Sequence, residues 1–262
     1  MQGDASETGV IRFVEGILTA QDTNLDQQRQ RCPIFRYIDG GSGGEVECAI
    51  PFSSEIKFNL VIRDMEAENE GLWVIMKGAP ERILSRCSHV LVNGVEVAFD
   101  QEEQKKVNEA NEALGRMGER VLAVARYRLE PEIYTKNPPF PFDIKGWKAW
   151  KDVRDRDPKI HGWFPMFNLT LMGLVALNDP PRPGVDKSVL LCKQAGIKVI
   201  MVTGDQPPTA AAIAHKVNII SDPSKEYNFM INQLGLSRDE AWEQCRAIVI
   251  HGDLLAEKHA EE

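Results

Sequence analysis

Cysteine is scarce and scattered. Cys32, Cys48, Cys87, Cys192 and Cys245 form no C-x-x-C pair, and this spacing suits buried thiols in a reducing compartment better than a disulfide framework or a zinc site. The five histidines are equally dispersed, which argues against a structural metal site. No apolar run approaches the roughly 20 residues a bilayer-spanning helix needs, and the first residues carry no secretory-signal pattern. Positive charge is in the minority: 31 Lys and Arg stand against 39 Asp and Glu, a formal net charge of -8. General nucleic-acid binding needs a basic surface that displaces counterions, so this balance argues against it and leaves a local basic pocket as the only form a nucleotide site can take.

With 262 residues, 43% of them hydrophobic and 27% charged, the chain is large enough for one or two cores. Its organising stretch is Ile197-Lys198-Val199-Ile200-Met201-Val202-Thr203-Gly204-Asp205. An apolar run of this length ending on glycine predicts a strand buried on both faces of a parallel sheet. Ligands of such sheets sit beyond the carboxyl ends of the strands, where a hydroxyl, a glycine turn and a carboxylate converge. The plainer reading of Thr203 to Asp205 is a strand-to-helix turn with Asp205 as a local cap.

Val10, Ile11, Val14, Ile17 and Leu18 have amphipathic-helix spacing. The chain begins almost inside that element, and a piece of a longer protein is therefore expected. Residues 19–31 read as mixed helix and loop, and the glycine-rich run 40–44 as a flexible turn. Short strands are predicted over 46–51, 58–63 and 72–76, with a hairpin over 90–97 turning at Asn93-Gly94, and hairpins predict an antiparallel sheet. Pro80 opens a short helix. Asp100 and Glu103 cap another, which carries Val107, Ala110, Leu114 and Met117 on one face and ends at Gly118. Val121 to Tyr127 returns as a strand. The proline- and aromatic-rich segment 131–165 reads as an excursion packing its rings on the sheet, or as a lid. After a strand over 169–177, Asn178-Asp179-Pro180-Pro181-Arg182-Pro183 makes a stiff crossing between domains. Helix 185–195, strand 197–202, helix 209–217, a helix capped by Ser237 with Glu240, and strand 247–250 then alternate as in an α/β half.

Four fragments before the crossing have the chemistry of a nucleotide pocket. Phe52 offers a ring face for adenine. Lys57 opens the next strand. Lys77 ends a strand and is followed by Gly78, which permits close approach of a ligand to the backbone. Arg120 offers a guanidinium that grips phosphate through two parallel bonds. Taken singly, Phe52 also reads as a core aromatic, the lysines as surface residues and Arg120 as the partner of a carboxylate. Their occurrence on consecutive strands favours the pocket.

The motifs Gly3-Asp4-Ala5-Ser6-Glu7, Pro51-Phe52-Ser53-Ser54 with Lys57, Lys77-Gly78-Ala79-Pro80-Glu81, Gly118-Glu119-Arg120-Val121, Asp179-Pro180-Pro181-Arg182 and Met201-Val202-Thr203-Gly204-Asp205 resemble, in this order, those of P-type cation-transporting ATPases. Gly3 to Glu7 and Val249-Ile250-His251-Gly252 look closest to the sodium/potassium and proton/potassium pump catalytic (alpha) subunits. The resemblance implies an α+β nucleotide-binding domain with an antiparallel sheet over 1–177, short of its first strands. A partial phosphorylation domain, α/β and haloacid-dehalogenase-like, would follow over 178–262. By similarity Phe52 would stack on the adenine of ATP, Glu7 would bond near its amino edge, Lys57, Lys77 and Gly78 would line the pocket, and Arg120 would reach the phosphates. Thr203, Gly204 and Asp205 would face the phosphoryl group, with Asp179 and Arg182 at the hinge. The complete pump would use Mg2+ and would join this portion, on the cytoplasmic face of a membrane, to membrane and actuator domains and an accessory subunit, with no nucleic acid as partner.

The departures bear on activity. The chain contains no Asp-Lys-Thr-Gly-Thr segment, whose aspartate accepts phosphate in the family, and no Thr-Gly-Asp-Gly-x-Asn-Asp segment, which supplies the magnesium carboxylate. A polypeptide without its nucleophile binds ATP and does not turn it over. Gln206-Pro207-Pro208 and Ser54-Glu55-Ile56 replace the residues most often seen in their motifs, and Glu55 beside the pocket weakens anion binding slightly. The alternative is a non-catalytic regulatory or scaffolding module derived from such a pump. A free-standing phosphatase would need an Asp-x-Asp pair at a strand end, and none of the predicted strands ends on one.

Overall fold

The computed structural model describes residues 5–38, 43–65, 71–147 and 162–250. Gly3, Asp4, most of the 40–44 turn, Trp150, Pro158 and His251-Gly252 lie outside the described residues. The chain divides into two compact units, one of residues 1–107 and 121–175, the other of residues 108–120 and 176–262.

The first unit opens with helices α1 (Ala5–Ala20) and α2 (Leu25–Arg31). Asn24 starts α2 through a capping box, its side chain accepting from the Gln27 amide while the Gln27 side chain accepts from the Asn24 amide. Strands β1 (Arg36–Ile38) and β2 (Glu45–Glu47) pair in a small antiparallel sheet. The main sheet comprises β3 (Ala49–Ile50), β4 (Phe58–Asp64), β5 (Leu72–Gly78), β6 (Cys87–Val92), β7 (Val95–Ala98), β8 (Glu119–Arg128) and β9 (Leu169–Asn178), in the order β3-β4-β5-β8-β9-β6-β7. Helix α3 (Pro80–Leu84) follows β5, and α4 (Gln101–Arg116) follows β7.

Period-two alternation places Phe58, Leu60 and Ile62 of β4 and Leu72, Val74 and Met76 of β5 on the buried face. Burial of each such side chain stabilises the fold by roughly 1.5–3 kcal/mol relative to exposure. The hairpin turns at Asn93 (φ 51°) and Gly94 (φ 82°), the positive pair a type I′ turn requires. The expected antiparallel sheet needs one correction. β6 pairs with β9 in parallel, Cys87 opposite Leu169 and Val90 opposite Leu171, because β9 arrives after a connection long enough to cross over and no hairpin constrains its direction. The described parts of the 131–165 segment, residues 131–147 and 162–165, contribute to the core: Phe140, Phe142 and Phe164 are buried, and Phe142 is ringed by Phe35, Tyr37, Tyr134, Phe140 and Phe164 at centroid distances of 4.7–6.3 Å. The α4 face is only partly used, with Ala110 and Met117 exposed. Asp100 caps its first turn by accepting from the amides of Glu102 and Glu103, whereas Glu103 pairs with Lys106.

The second unit contains α5 (Val185–Gln194), α6 (Pro207–Lys216), a 3-10 turn (Pro223–Lys225), α7 (Tyr227–Asn232) and α8 (Arg238–Gln244). Ser237 and Glu240 form the capping box that begins α8. The strands predicted over 197–202 and 247–250 do not form. Ile197, Ile200 and Val202 are 56%, 72% and 94% exposed, and the only strand-like pairing of the second stretch among the described residues is a parallel bridge between Glu226 and Ala247. A parallel strand exists only through its ladder partners. Among the described residues no strand pairs with 197–202, so its β-propensity is unfulfilled. Glu226 anchors the second stretch, accepting from the amides of Phe229 and Val249 and from Asn228 Nδ2.

Candidate functional site

Strand register brings Phe52, Lys57, Lys77 and Gly78 to one end of the sheet in the first unit, and an ion pair ties Glu7 of α1 to Lys77. Ile50 pairs with Leu60, and Phe58 with Gly78. The end of β3, the start of β4 and the end of β5 therefore lie side by side. Phe52 stands two residues past β3 with its ring 59% exposed, which removes the core-aromatic reading. Lys57 follows a closed turn: its amide donates to the Ser53 carbonyl at 2.8 Å, and the Ile56 amide donates to Ser53 Oγ at 3.4 Å. Lys57 occupies the left-handed region at φ 57°, rare for a residue with a side chain. Its Nζ lies 3.9 Å from Glu81 Oε1, and Lys77 Nζ lies 3.7 Å from Glu7 Oε1. The face thus carries an exposed ring, two ammonium groups and two carboxylates.

Gly78 is packed closely by the neighbouring strand. The Lys57 carbonyl and the Phe58 backbone press against its Cα, so the space a side chain would take is filled by protein. Arg86 was not singled out from the sequence. Its guanidinium lies 5.0 Å from the ring centroid of Phe58 and 5.4 Å from that of Phe167, and burial lowers its pKa. Phe58 and Phe167 are far from Arg86 along the chain, so no local signal marks this sandwich.

The second unit holds the remaining residues. Arg120 donates from Nε and Nη2 to Asp205 Oδ1 at 3.2 and 2.9 Å. Thr203 Oγ1 donates to Asp205 Oδ2 at 2.8 Å and accepts from the Asp205 amide at 3.1 Å. Arg120 is thereby the partner of a carboxylate, as its plainer reading held. Thr209 Oγ1 donates to the Glu119 carbonyl, and Lys216 Nζ to the Met117 carbonyl. Gly204 has open space around it. Asp179 and Arg182 are exposed, and Arg182 borders an open hollow of about 410 Å³ with Val185, Ser188 and Cys192. A second hollow of about 670 Å³ lies between α1 and α2. Neither is lined by Phe52, Lys57 or Lys77; the candidate site is a chemical constellation on an open sheet end.

The family model of the P-type ATPase cytoplasmic domain N matches residues 1–184. The chain belongs to the P-type ATPases. Among its relatives are sodium/potassium-transporting ATPase subunits: alpha-A of Artemia franciscana, 34% identical over 263 residues and 100% of this chain; alpha-2 of Gallus gallus, 38% identical over 261 residues and 99% of it; and alpha-4 of Rattus norvegicus, 36% identical over 254 residues and 97% of it. The chain spans 23%, 22% and 21% of the lengths of these P-type ATPase subunits respectively. No helix among the described residues is long and apolar enough to cross a membrane.

Proposed function

We propose that the exposed sheet end of the first unit is an ATP site, and that this chain is the nucleotide-recognising portion of a P-type cation pump. The observation that carries the reading is the exposed Phe52 ring on the same sheet end as Lys57, Lys77 and Glu7. Adenine stacks on Phe52, a contact worth roughly 1–3 kcal/mol. Glu7 bonds near the adenine amino edge, and the two lysines attract the anionic tail.

Residues 178–262 are read as part of a haloacid-dehalogenase-like phosphorylation domain. Its remaining sheet is supplied by other parts of the pump, which accounts for the bare Ile197 to Val202 stretch. Thr203, Gly204 and Asp205 then face the phosphoryl group, and Asp179 and Arg182 open the domain. In the complete pump ATP phosphorylates an aspartate with Mg2+ present, and cation transport follows at the cytoplasmic side of a membrane, in concert with membrane and actuator domains and an accessory subunit. The present chain, without the acceptor motif, binds ATP without turnover. Calorimetric titration of ATP into the chain and into Phe52→Ala and Lys77→Ala tests the reading: saturable heat in the parent, lost or strongly reduced in both variants, is expected. Equal isotherms for all three contradict it.

A further inference from the structure

Gly78 is not in the left-handed region, so conformational freedom does not explain the glycine. Space does. A Cβ at Gly78 would stand 2.5 Å from the Lys57 carbonyl oxygen and 2.6 Å from Cα and Cβ of Phe58. Two of these three atoms are backbone and the third is fixed to it, so none can swing aside as the tip of a flexible side chain would.

We infer that Gly78 is a positioning residue for Lys57: its bare Cα is the seat for the Lys57 carbonyl, and that seat sets the direction in which the Lys57 ammonium leaves the sheet. The seat is locked from two sides. The Ala79 amide donates to the Lys57 carbonyl at 2.9 Å, and the Lys57 amide closes onto the Ser53 carbonyl. With both peptide groups held, Lys57 stays at φ 57°, an unfavoured backbone that persists only when its surroundings over-determine it. Glu81, on the first turn of α3, sits 3.9 Å from the ammonium at the far end of the side chain.

The inference rests on the ATP reading above and concerns the anionic tail, since an ammonium has no comparable partner on the adenine ring. The test is calorimetric titration of the full chain with ATP and with adenosine. Gly78→Ala is expected to weaken ATP binding about tenfold while adenosine binding changes by less than about twofold. In a Lys57→Ala background the further change Gly78→Ala should alter ATP affinity by less than about twofold, because the group it positions is gone. Full, additive losses overturn the inference. Should circular dichroism show Gly78→Ala unfolded, Ala79→Pro replaces it: φ -60° and ψ 134° at Ala79 suit proline, which removes the amide that holds the Lys57 carbonyl, and the same non-additivity with Lys57→Ala is expected. A parent chain with no saturable ATP heat sinks the ATP reading and this inference together. Saturable parent binding with additive Gly78 and Lys57 losses sinks this inference alone.

Discussion

Replacing Phe142 by alanine tests whether the described part of the excursion around it, residues 131–147, is core or cover. Phe142 is 2% exposed and lies within 6.3 Å, centroid to centroid, of five other rings. Truncating a buried phenylalanine costs roughly 3–5 kcal/mol, combining lost transfer energy with the cavity left behind. Neighbouring rings cannot all collapse into that cavity, since Phe140 and Phe164 are themselves buried against the sheet. A loss of about 4 kcal/mol is therefore expected, and for a domain of this size it lowers the melting temperature by roughly 8–16 °C. Urea unfolding followed by far-ultraviolet circular dichroism measures the free energy, and a thermal scan checks it. The surviving folded chain should bind ATP normally, because the ring is remote from solvent. A loss below about 1 kcal/mol, or a selective loss of ATP binding at unchanged stability, would refute the assignment of this segment to the core.

Two further predictions concern charge. Arg120 and Asp205 form an ion pair whose arginine is 43% exposed, so a double-mutant cycle of Arg120→Ala and Asp205→Asn should give a stability coupling of no more than about 1 kcal/mol; a coupling of about 3 kcal/mol or more would show that the pair is a structural linchpin of the second unit. Burial pushes the thiols of Cys48 and Cys87 up to about 12 from an ordinary 9.0. The folded chain keeps these protons where the unfolded chain releases them, so their contribution is whole below pH 9 and is lost as pH rises toward 12. Urea unfolding between pH 7 and pH 11 should therefore show a fall in stability that is shallower in Cys48→Ala than in the parent, and identical slopes would contradict it.

Local elements were legible where pattern and chemistry agree. Helical spacing marks α1, alternation marks β4 and β5, and Asn93-Gly94 and the Ser237 to Glu240 box mark a turn and a cap because each acts within a few residues. The Asn24 to Gln27 box that starts α2 carries the same kind of signal. Non-local choices were not legible. The parallel pairing of β6 with β9 joins segments about eighty residues apart, and Ile197 to Val202 has the composition of a strand without the neighbours that make one. Within the candidate site, the ring face read at Phe52 is exposed, and the carboxylate partner read for Arg120 is present in Asp205. At Gly78 the packing shows a glycine that admits the neighbouring strand, and a glycine that admits another strand and one that admits a ligand look alike in sequence. Nothing in the residue type of Lys57 announces a left-handed backbone.

The central claim is that an adenine ring lies on Phe52 while lysines on the neighbouring strands attract the phosphates. Saturation-transfer NMR of ATP with the full chain measures this most directly. The strongest transfer should fall on the adenine protons H2 and H8, and it should vanish in Phe52→Ala while the circular dichroism spectrum is unchanged. Transfer that persists undiminished in Phe52→Ala, or that is absent from the parent chain at millimolar ATP, contradicts the account.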